Sequence, residues 1–339
     1  MSIAPMITTY SMWSLFRNCR KAVEWRYLEQ LVPLTRDRNL HFGSLIHECL
    51  QTWHERPDLA EVLALIDRLC PNRLQDENQR RDWHLAIAMM KAYTARYATE
   101  EFETIALEKS FEGPIVNPAT GAASRSFVLA GKVDGIVRVG GDYFVLEHKT
   151  AAQLDSDYLE RLWTDFQITI YSYYVEQTMG IPITGILYNV LVKAKLQQSK
   201  GETEQEFQER RAELLAKSKT GKSTSKRRMP ETDEEFQQRL AEKYAEPTML
   251  HREMLYLSRD RFDILRSELW ELTQAFLDAR RRGVFYQNTA FCFNYQRPCP
   301  YFALCRSNGN PNLIDNFYQR VAPNEELRVL PGETPEPVF

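Results

Sequence analysis

Apolar residues over the first 105 positions recur at three- and four-residue spacing, as in SMWSLFRNCRKAVEWRYLEQL and LAEVLALIDRLC, which predicts a mostly helical region. From about Glu108 the pattern turns to alternation broken by turn residues: NPATGAAS, then FVLAGKVDGIVRV, Gly140-Gly141 and DYFVLEHKT. Such alternation predicts β-strands. Helical spacing returns in SDYLERLWTDFQITIYSYYVEQTMG, and GILYNVLVKAKL reads as a further strand. A long amphipathic helix is expected near 258–281, followed by a cysteine-bearing loop region.

Residues 200–246 break this order and hold a repeat: ETEQEFQERRAE at 202–213 matches ETDEEFQQRLAE at 231–242, offset by 29 residues. Each copy opens with Thr-x-x-Glu (Thr203 with Glu206, Thr232 with Glu235), a capping-box pattern that predicts a helix start. Two helices joined by a basic, Ser- and Lys-rich loop are expected, since two copies are too few for a solenoid. Eight Lys or Arg residues lie between Arg210 and Arg228, either as a solvated loop or as a contact for a DNA backbone. The tail from about Glu325 is Pro- and Glu-rich and is expected to be flexible.

Composition narrows the class. With 339 residues and 43% hydrophobic content the chain can bury a sizeable core, as one large domain or two intimate ones. It has no apolar run of membrane-spanning length, and its first residues lack the segments of a signal peptide, so a cytoplasmic location is expected. The net charge of −3 does not advertise nucleic-acid binding, but a local patch is enough for it. Disulfides are not expected among the six cysteines of a cytoplasmic chain. Cys49 and Cys70 sit in apolar helical sequence and read as core residues. Cys19, Cys292, Cys299 and Cys305 need another account.

The chemistry concentrates in GKVDGIVRVGGDYFVLEHKTA. Gly140-Gly141 is a favoured pair for a two-residue hairpin turn, so facing residues should have numbers summing to 281. Asp134 then faces Glu147 and Lys132 faces Lys149, with facing Cβ atoms roughly 4.5–5.5 Å apart. Glu147 and Lys149 share a face by strand alternation. Two facing carboxylates repel unless a positive charge lies between them, and a hard divalent cation such as Mg²⁺ or Mn²⁺ suits carboxylate oxygen. A neighbouring ammonium orients water and steadies charge on a phosphate. The alternative is an ordinary surface hairpin with a Glu/Lys ladder.

Gly131, Asp134, Gly135, Glu147 and Lys149 resemble motifs II and III of the RecB-like PD-(D/E)XK nucleases. In the same order, Gly43 to His47 resembles that family's upstream metal-binding helix, and Gln167-x-x-x-Tyr171 its Gln-x-x-x-Tyr motif. Ser11, Phe16 and Cys19 resemble the opening of its iron–sulfur members; the similarity covers roughly 7–195 and 250–306. The resemblance implies an α/β fold with a restriction-endonuclease-like core: a mixed central sheet flanked by helices, with a helical insertion and an iron–sulfur staple. It implies that His47, Asp134, Glu147 and the backbone carbonyl of His148 bind Mg²⁺ or Mn²⁺. Lys149 would position or deprotonate the attacking water, while Gln167 and Tyr171 orient DNA. Glu108 would add an outer carboxylate.

Cys292-x₆-Cys299-x₅-Cys305, with the distant Cys19, resembles the iron–sulfur staple of AddB-type and CRISPR-associated RecB-like nucleases. Four thiolates suit a 4Fe-4S cluster or zinc, and the resemblance favours the cluster. Many relatives have two residues where six separate Cys292 from Cys299, and commonly Pro where Arg20 follows Cys19. The expected organisation is an N-terminal helical region over 1–105, a nuclease core over 106–199, the insertion over 200–246, a C-terminal helix and cysteine region over 247–324, and the tail. The expected activity is DNA hydrolysis, on single strands or duplex ends, in recombination, repair or CRISPR spacer processing. A helicase, recombinase or CRISPR integrase is the kind of partner this implies, and no membrane is. The rival reading is an inactive DNA-binding scaffold with an iron–sulfur or zinc staple.

Overall fold

A computed structural model describes residues 4–35, 38–217, 225–294, 297–324 and 327. In chain order it runs through β1 (Met6–Thr8), α1 (Tyr10–Asn18), α2 (Arg20–Val23), a π-helical turn (Glu24–Leu28), β2 (Leu31–Pro33), α3 (Arg38–Glu55), α4 (Leu59–Leu69) and α5 (Glu77–Arg96). Next come β3 (Glu103–Val116), β4 (Ala123–Val139), β5 (Asp142–Ala151), α6 (Ser156–Leu162), α7 (Phe166–Met179) and β6 (Ile183–Val192). After α8 (Glu204–Lys217) and α9 (Asp233–Tyr244) lie β7 (Leu250–Tyr256), α10 (Asp260–Arg282), β8 (Phe293–Asn294), β9 (Arg297–Pro298), α11 (Phe302–Arg306), α12 (Pro311–Phe317) and β10 (Tyr318–Arg320). The first 105 residues are mostly helical, as their spacing predicts. The exceptions are β1, β2 and the start of β3; three-residue strands are too short for alternation to register.

Six strands form the central mixed sheet in the order β1-β4-β5-β6-β7, with β3 also paired to β4. The β1–β4 and β5–β6 pairs are parallel and the others antiparallel. β3 runs along one edge of β4, so β1 (at Phe127 to Leu129) and β5 (at Gly135 to Val139) share the other edge. Between them, at 130–134, no described strand pairs with that edge.

The hairpin turns at Gly140-Gly141, where Gly140 alone has positive φ, a type II′ sense. Its register is the predicted one as far as Gly135 opposite Leu146. There the strands fork: β4 continues against β3 and β5 continues against β6 through Ala151. Neither predicted pair beyond that point forms: Asp134 accepts the His148 N–H instead of pairing with Glu147, and Lys132 pairs with Glu108 instead of facing Lys149.

Helices cover both faces. Along β6, Ile186, Tyr188 and Val190 pack with α1, α7 and α10, whereas Leu191 joins α3, α4, α5 and α9. A Cβ at Gly185 of this strand would lie 2.1 Å from the Leu255 carbonyl oxygen, so β6 and β7 meet at a residue without a side chain.

The insertion holds both predicted helices. Thr232 and Glu235 form a full capping box, and Thr203 and Glu206 exchange the same two bonds. The repeat extends to tertiary structure. Glu202 N donates to Arg228 O and Glu231 N to Ser199 O; Arg210 reaches Glu202 and the Lys226 carbonyl, as Arg239 reaches Glu231 and the Gln197 carbonyl. Each bond maps onto its mate by the 29-residue offset with the copies exchanged, so the two halves form a pseudo-twofold pair. Only one half is docked: α9 packs Phe236, Leu240 and Tyr244 against α5, while α8 buries no residue. Arg211 and Leu215 stand in α8 where α9 has Leu240 and Tyr244. Lys219 and Lys222 of the basic segment, and the tail from Glu325 apart from Leu327, lie outside the described residues.

Candidate active site

α3, β4, β5 and α7 bring the motif side chains together at the fork. His47 Nδ1 lies 3.1 Å from Asp134 Oδ1, and Asp134 Oδ2 accepts the His148 backbone N–H at 2.7 Å. Asp134 thus reaches across the empty edge and takes a donor that the ladder no longer uses. Lys149 Nζ donates to Glu147 Oε1 at 2.6 Å and to Gln167 Oε1 at 2.9 Å, while Gln167 Nε2 donates to Glu147 Oε1 at 3.1 Å. Asp165 caps α7 by accepting from Gln167 N at 2.8 Å, which sets Gln167 in the first turn. Tyr171, one turn on, packs against Phe111 and Tyr10.

Each carboxylate has its own basic partner, His47 for Asp134 and Lys149 for Glu147. Burial opposes ionisation of Asp134, but the hydrogen bond and charge of His47 hold its carboxyl far below the usual range. Burial likewise disfavours the His47 cation, and Asp134 outweighs it, raising the imidazole above its ordinary value. Burial raises Glu147, against the pull of Lys149. Lys149 is pushed well up because Glu147 overcomes desolvation, so its ammonium persists at neutral pH.

The donor set fits a hard divalent cation: carboxylate oxygens from Asp134 and Glu147 and an imidazole from His47. Among the described residues no three His, Cys, Asp or Glu side chains are grouped to hold an ion. At the fork Glu147 is engaged by Lys149 and Gln167, and Asp134 by His47 and His148. Glu108 stands apart from this set. It has a left-handed φ of 47° in β3 and gives its carboxylate to Lys132.

Cys19, Cys292, Cys299 and Cys305 line one small cavity with Phe291 and Tyr301. Two N–H groups are aimed at its sulfurs: Asn288 N donates to Cys19 Sγ at 3.5 Å and Trp25 Nε1 to Cys305 Sγ at 3.4 Å. Burial raises the Cys305 thiol, against the pull of Trp25, and burial raises the Cys299 thiol as well. Cys19 ends α1, and the β2–β10 pair draws the N-terminal region to the C-terminal one. Cys49 and Cys70 are fully buried in the helical cluster, and burial pushes their thiols up to about 12 and about 11.

Several polar groups at the site carry no sequence signal. Tyr10 and Tyr158 both feel the charges of Lys149, Glu147 and Asp165. Behind the hairpin His148 meets Asn189 and His54, and Tyr93 and Arg252 join them through the Tyr93 hydroxyl. Each comes from a different element, and only strand registers and helix packing place them together.

A search of curated proteins finds no match. The family model of the PD-(D/E)XK nuclease superfamily matches residues 8–306, a span that includes the fork residues, Gln167, Tyr171 and all four cavity cysteines. The chain belongs to the PD-(D/E)XK nuclease superfamily.

Proposed function

We propose that the chain is an Mg²⁺- or Mn²⁺-dependent deoxyribonuclease of the RecB-like branch, acting as an exonuclease on single-stranded DNA or duplex ends. The observation that carries this reading is the convergence of His47, Asp134, Glu147, Lys149 and Gln167 at the fork. His47, Asp134, Glu147 and the His148 carbonyl would hold the metal, which supplies Lewis-acid polarisation of the phosphate and an acidified water. Lys149 stays protonated beside Glu147, which favours a role in orienting that water and steadying phosphate charge over one as the base. Gln167 keeps Lys149 and Glu147 in register, and Tyr171 walls the site next to it.

We further propose a 4Fe-4S cluster on Cys19, Cys292, Cys299 and Cys305, with a structural role. Their common cavity and its N–H donors support this; zinc fits the same four thiolates, and the visible absorption spectrum separates the two. The test of activity is cleavage of end-labelled linear DNA, single- and double-stranded, against circular DNA, with Mg²⁺, Mn²⁺ or EDTA. Metal-dependent loss of linear substrate alone is expected. Cleavage of circular DNA would replace the exonuclease assignment by an endonuclease one, and no cleavage of any substrate would overturn the reading.

A further inference from the structure

On the far face of β5, behind the fork, lies a buried polar row that the proposed reaction does not use. His148 alternates with Glu147 and Lys149, so its ring points away from them. It stands in register with Asn189 of β6, which stands in register with Arg252 of β7. One hydroxyl joins the row. Asn189 Nδ2 donates to His148 Nδ1 at 3.0 Å and to Tyr93 Oη at 2.9 Å, and Arg252 donates to the same Oη at 2.9 Å. Tyr93 Oη, accepting twice, has its own proton for His54 Nε2 at 3.1 Å. The His54 ring stacks on that of His148, 5.4 Å between centroids and 8° from parallel. Glu100 balances Arg252 through two bonds of 2.5 and 2.8 Å.

Tyr93, Asn189 and His148 are all buried. A buried polar network is costly unless its bonds are made, and apolar side chains of similar size often stabilise as well or better. A role beyond stability is visible in where the row ends. The β4 ladder stops at Leu146, so no described strand lies beside the β5 edge that carries the His148 N–H, which is held there by the Asp134 carboxylate. What fixes the peptide must come from the other edge and from its own side chain. The His148 ring is clamped by Asn189 on one side and His54 on the other.

We propose that this row is a brace for the His148 peptide. Asn189 and Tyr93 are positioning residues: they hold the His148 N–H on Asp134 and so set the geometry of the candidate metal site. The inference rests on the nuclease reading given above. Outer partners that orient metal-binding groups typically affect metal affinity by about 10- to 100-fold.

The test uses the full chain, stripped with EDTA, as wild type, Tyr93→Phe and Tyr244→Phe. Tyr93→Phe removes the central hydroxyl alone. Tyr244→Phe removes another buried hydroxyl, one that accepts from Ala194 N at 3.2 Å and has no bond to the row. Mn²⁺ affinity is read by paramagnetic resonance without DNA, and hydrogen exchange is read on the peptide containing His148. In Tyr93→Phe, Mn²⁺ binding should weaken by about 10-fold or more and exchange at His148 should accelerate, with Tyr244→Phe unchanged in both. Unchanged affinity and exchange in Tyr93→Phe, or equal losses in Tyr244→Phe, would overturn the brace. If the wild type binds no Mn²⁺, the metal site itself falls, and exchange at His148 still decides whether the row restrains that peptide.

Discussion

Replacing Asp134 by asparagine in metal-free protein separates two accounts of the fork. If the Asp134 and Glu147 carboxylates chiefly repelled each other, a neutral amide would stabilise the apo protein. The geometry predicts the reverse. Asp134 accepts from His148 N–H at 2.7 Å and lies 3.1 Å from His47 Nδ1. A hydrogen bond to a charged group contributes about 1.5–3 kcal/mol and a neutral one about 0.5–1.5 kcal/mol. Asparagine can keep the His148 bond in neutral form, at a cost of about 1–1.5 kcal/mol, and loses the charged one to His47, for a total of about 2.5–4.5 kcal/mol before screening. The His47 side chain is 34% exposed, so screening places the expectation in the lower half of that range.

The loss also depends on pH, and the sign follows from two shifts. The depressed Asp134 carboxyl contributes stability that is present above the ordinary carboxylate range and disappears as pH falls through its folded value. The raised His47 contributes stability that is full below the ordinary imidazole value and disappears as pH rises through its folded value. Wild type and variant should therefore differ most between about pH 4.5 and 6.5, and less above. Urea denaturation followed by tryptophan fluorescence, in EDTA at about pH 5.5 and 8.5, measures both quantities. A variant as stable as wild type at the lower pH, or a gap that widens at the higher, refutes charge compensation by His47.

On the proposed role of Lys149 in orienting water and steadying phosphate charge, Lys149→Ala should reduce metal-dependent cleavage by at least about 100-fold while leaving DNA binding nearly intact; a wild-type rate in a gel assay would remove it from the site. Cys19→Ala and Cys299→Ala should each bleach the brown colour of anaerobically purified protein, and Cys49→Ala and Cys70→Ala should retain it. Iron retained in full by Cys19→Ala would exclude that cysteine as a ligand, and a colourless wild type with one zinc would replace the cluster. Gly185→Ala forces a Cβ against the Leu255 carbonyl and should cost at least about 2 kcal/mol in urea denaturation; full stability would contradict the β6–β7 register.

The hairpin was legible because its information is local. Gly140-Gly141 sets the turn and the register as far as Gly135 opposite Leu146, and period two puts Glu147 and Lys149 on one face. His47, Gln167 and Tyr171 were reached through family resemblance alone; as a lone histidine and a helical pair they have ordinary packing explanations. The fork was not legible. Where β4 and β5 part depends on β1 and β3 holding one strand and β6 the other, contacts that no local pattern encodes. The turn register holds only to Gly135 and Leu146, and beyond it β3 keeps β4, so neither Asp134 with Glu147 nor Lys132 with Lys149 is paired. The His148–Asn189–Arg252 row needs two registers at once, and Tyr93 adds a helix. In the insertion, Thr203 and Thr232 announced both helices, and the signal that only one docks was present in Leu240 and Tyr244 against Arg211 and Leu215.

The fork also explains why polar groups can gather in the middle of a sheet. In an unbroken ladder the His148 N–H would be spent on β4, and Asp134 would have no donor to reach. Ending the ladder at Leu146 releases that N–H to a carboxylate and opens the edge toward His47 on α3. The same interruption removes restraint, and restraint is what a site of defined geometry requires. It is restored on the opposite edge, where β5 keeps an unshifted register with β6 from Phe144 to Ala151. One strand thus has two unlike edges: a paired one that fixes its position, and a free one on which Asp134, His47 and the His148 peptide meet.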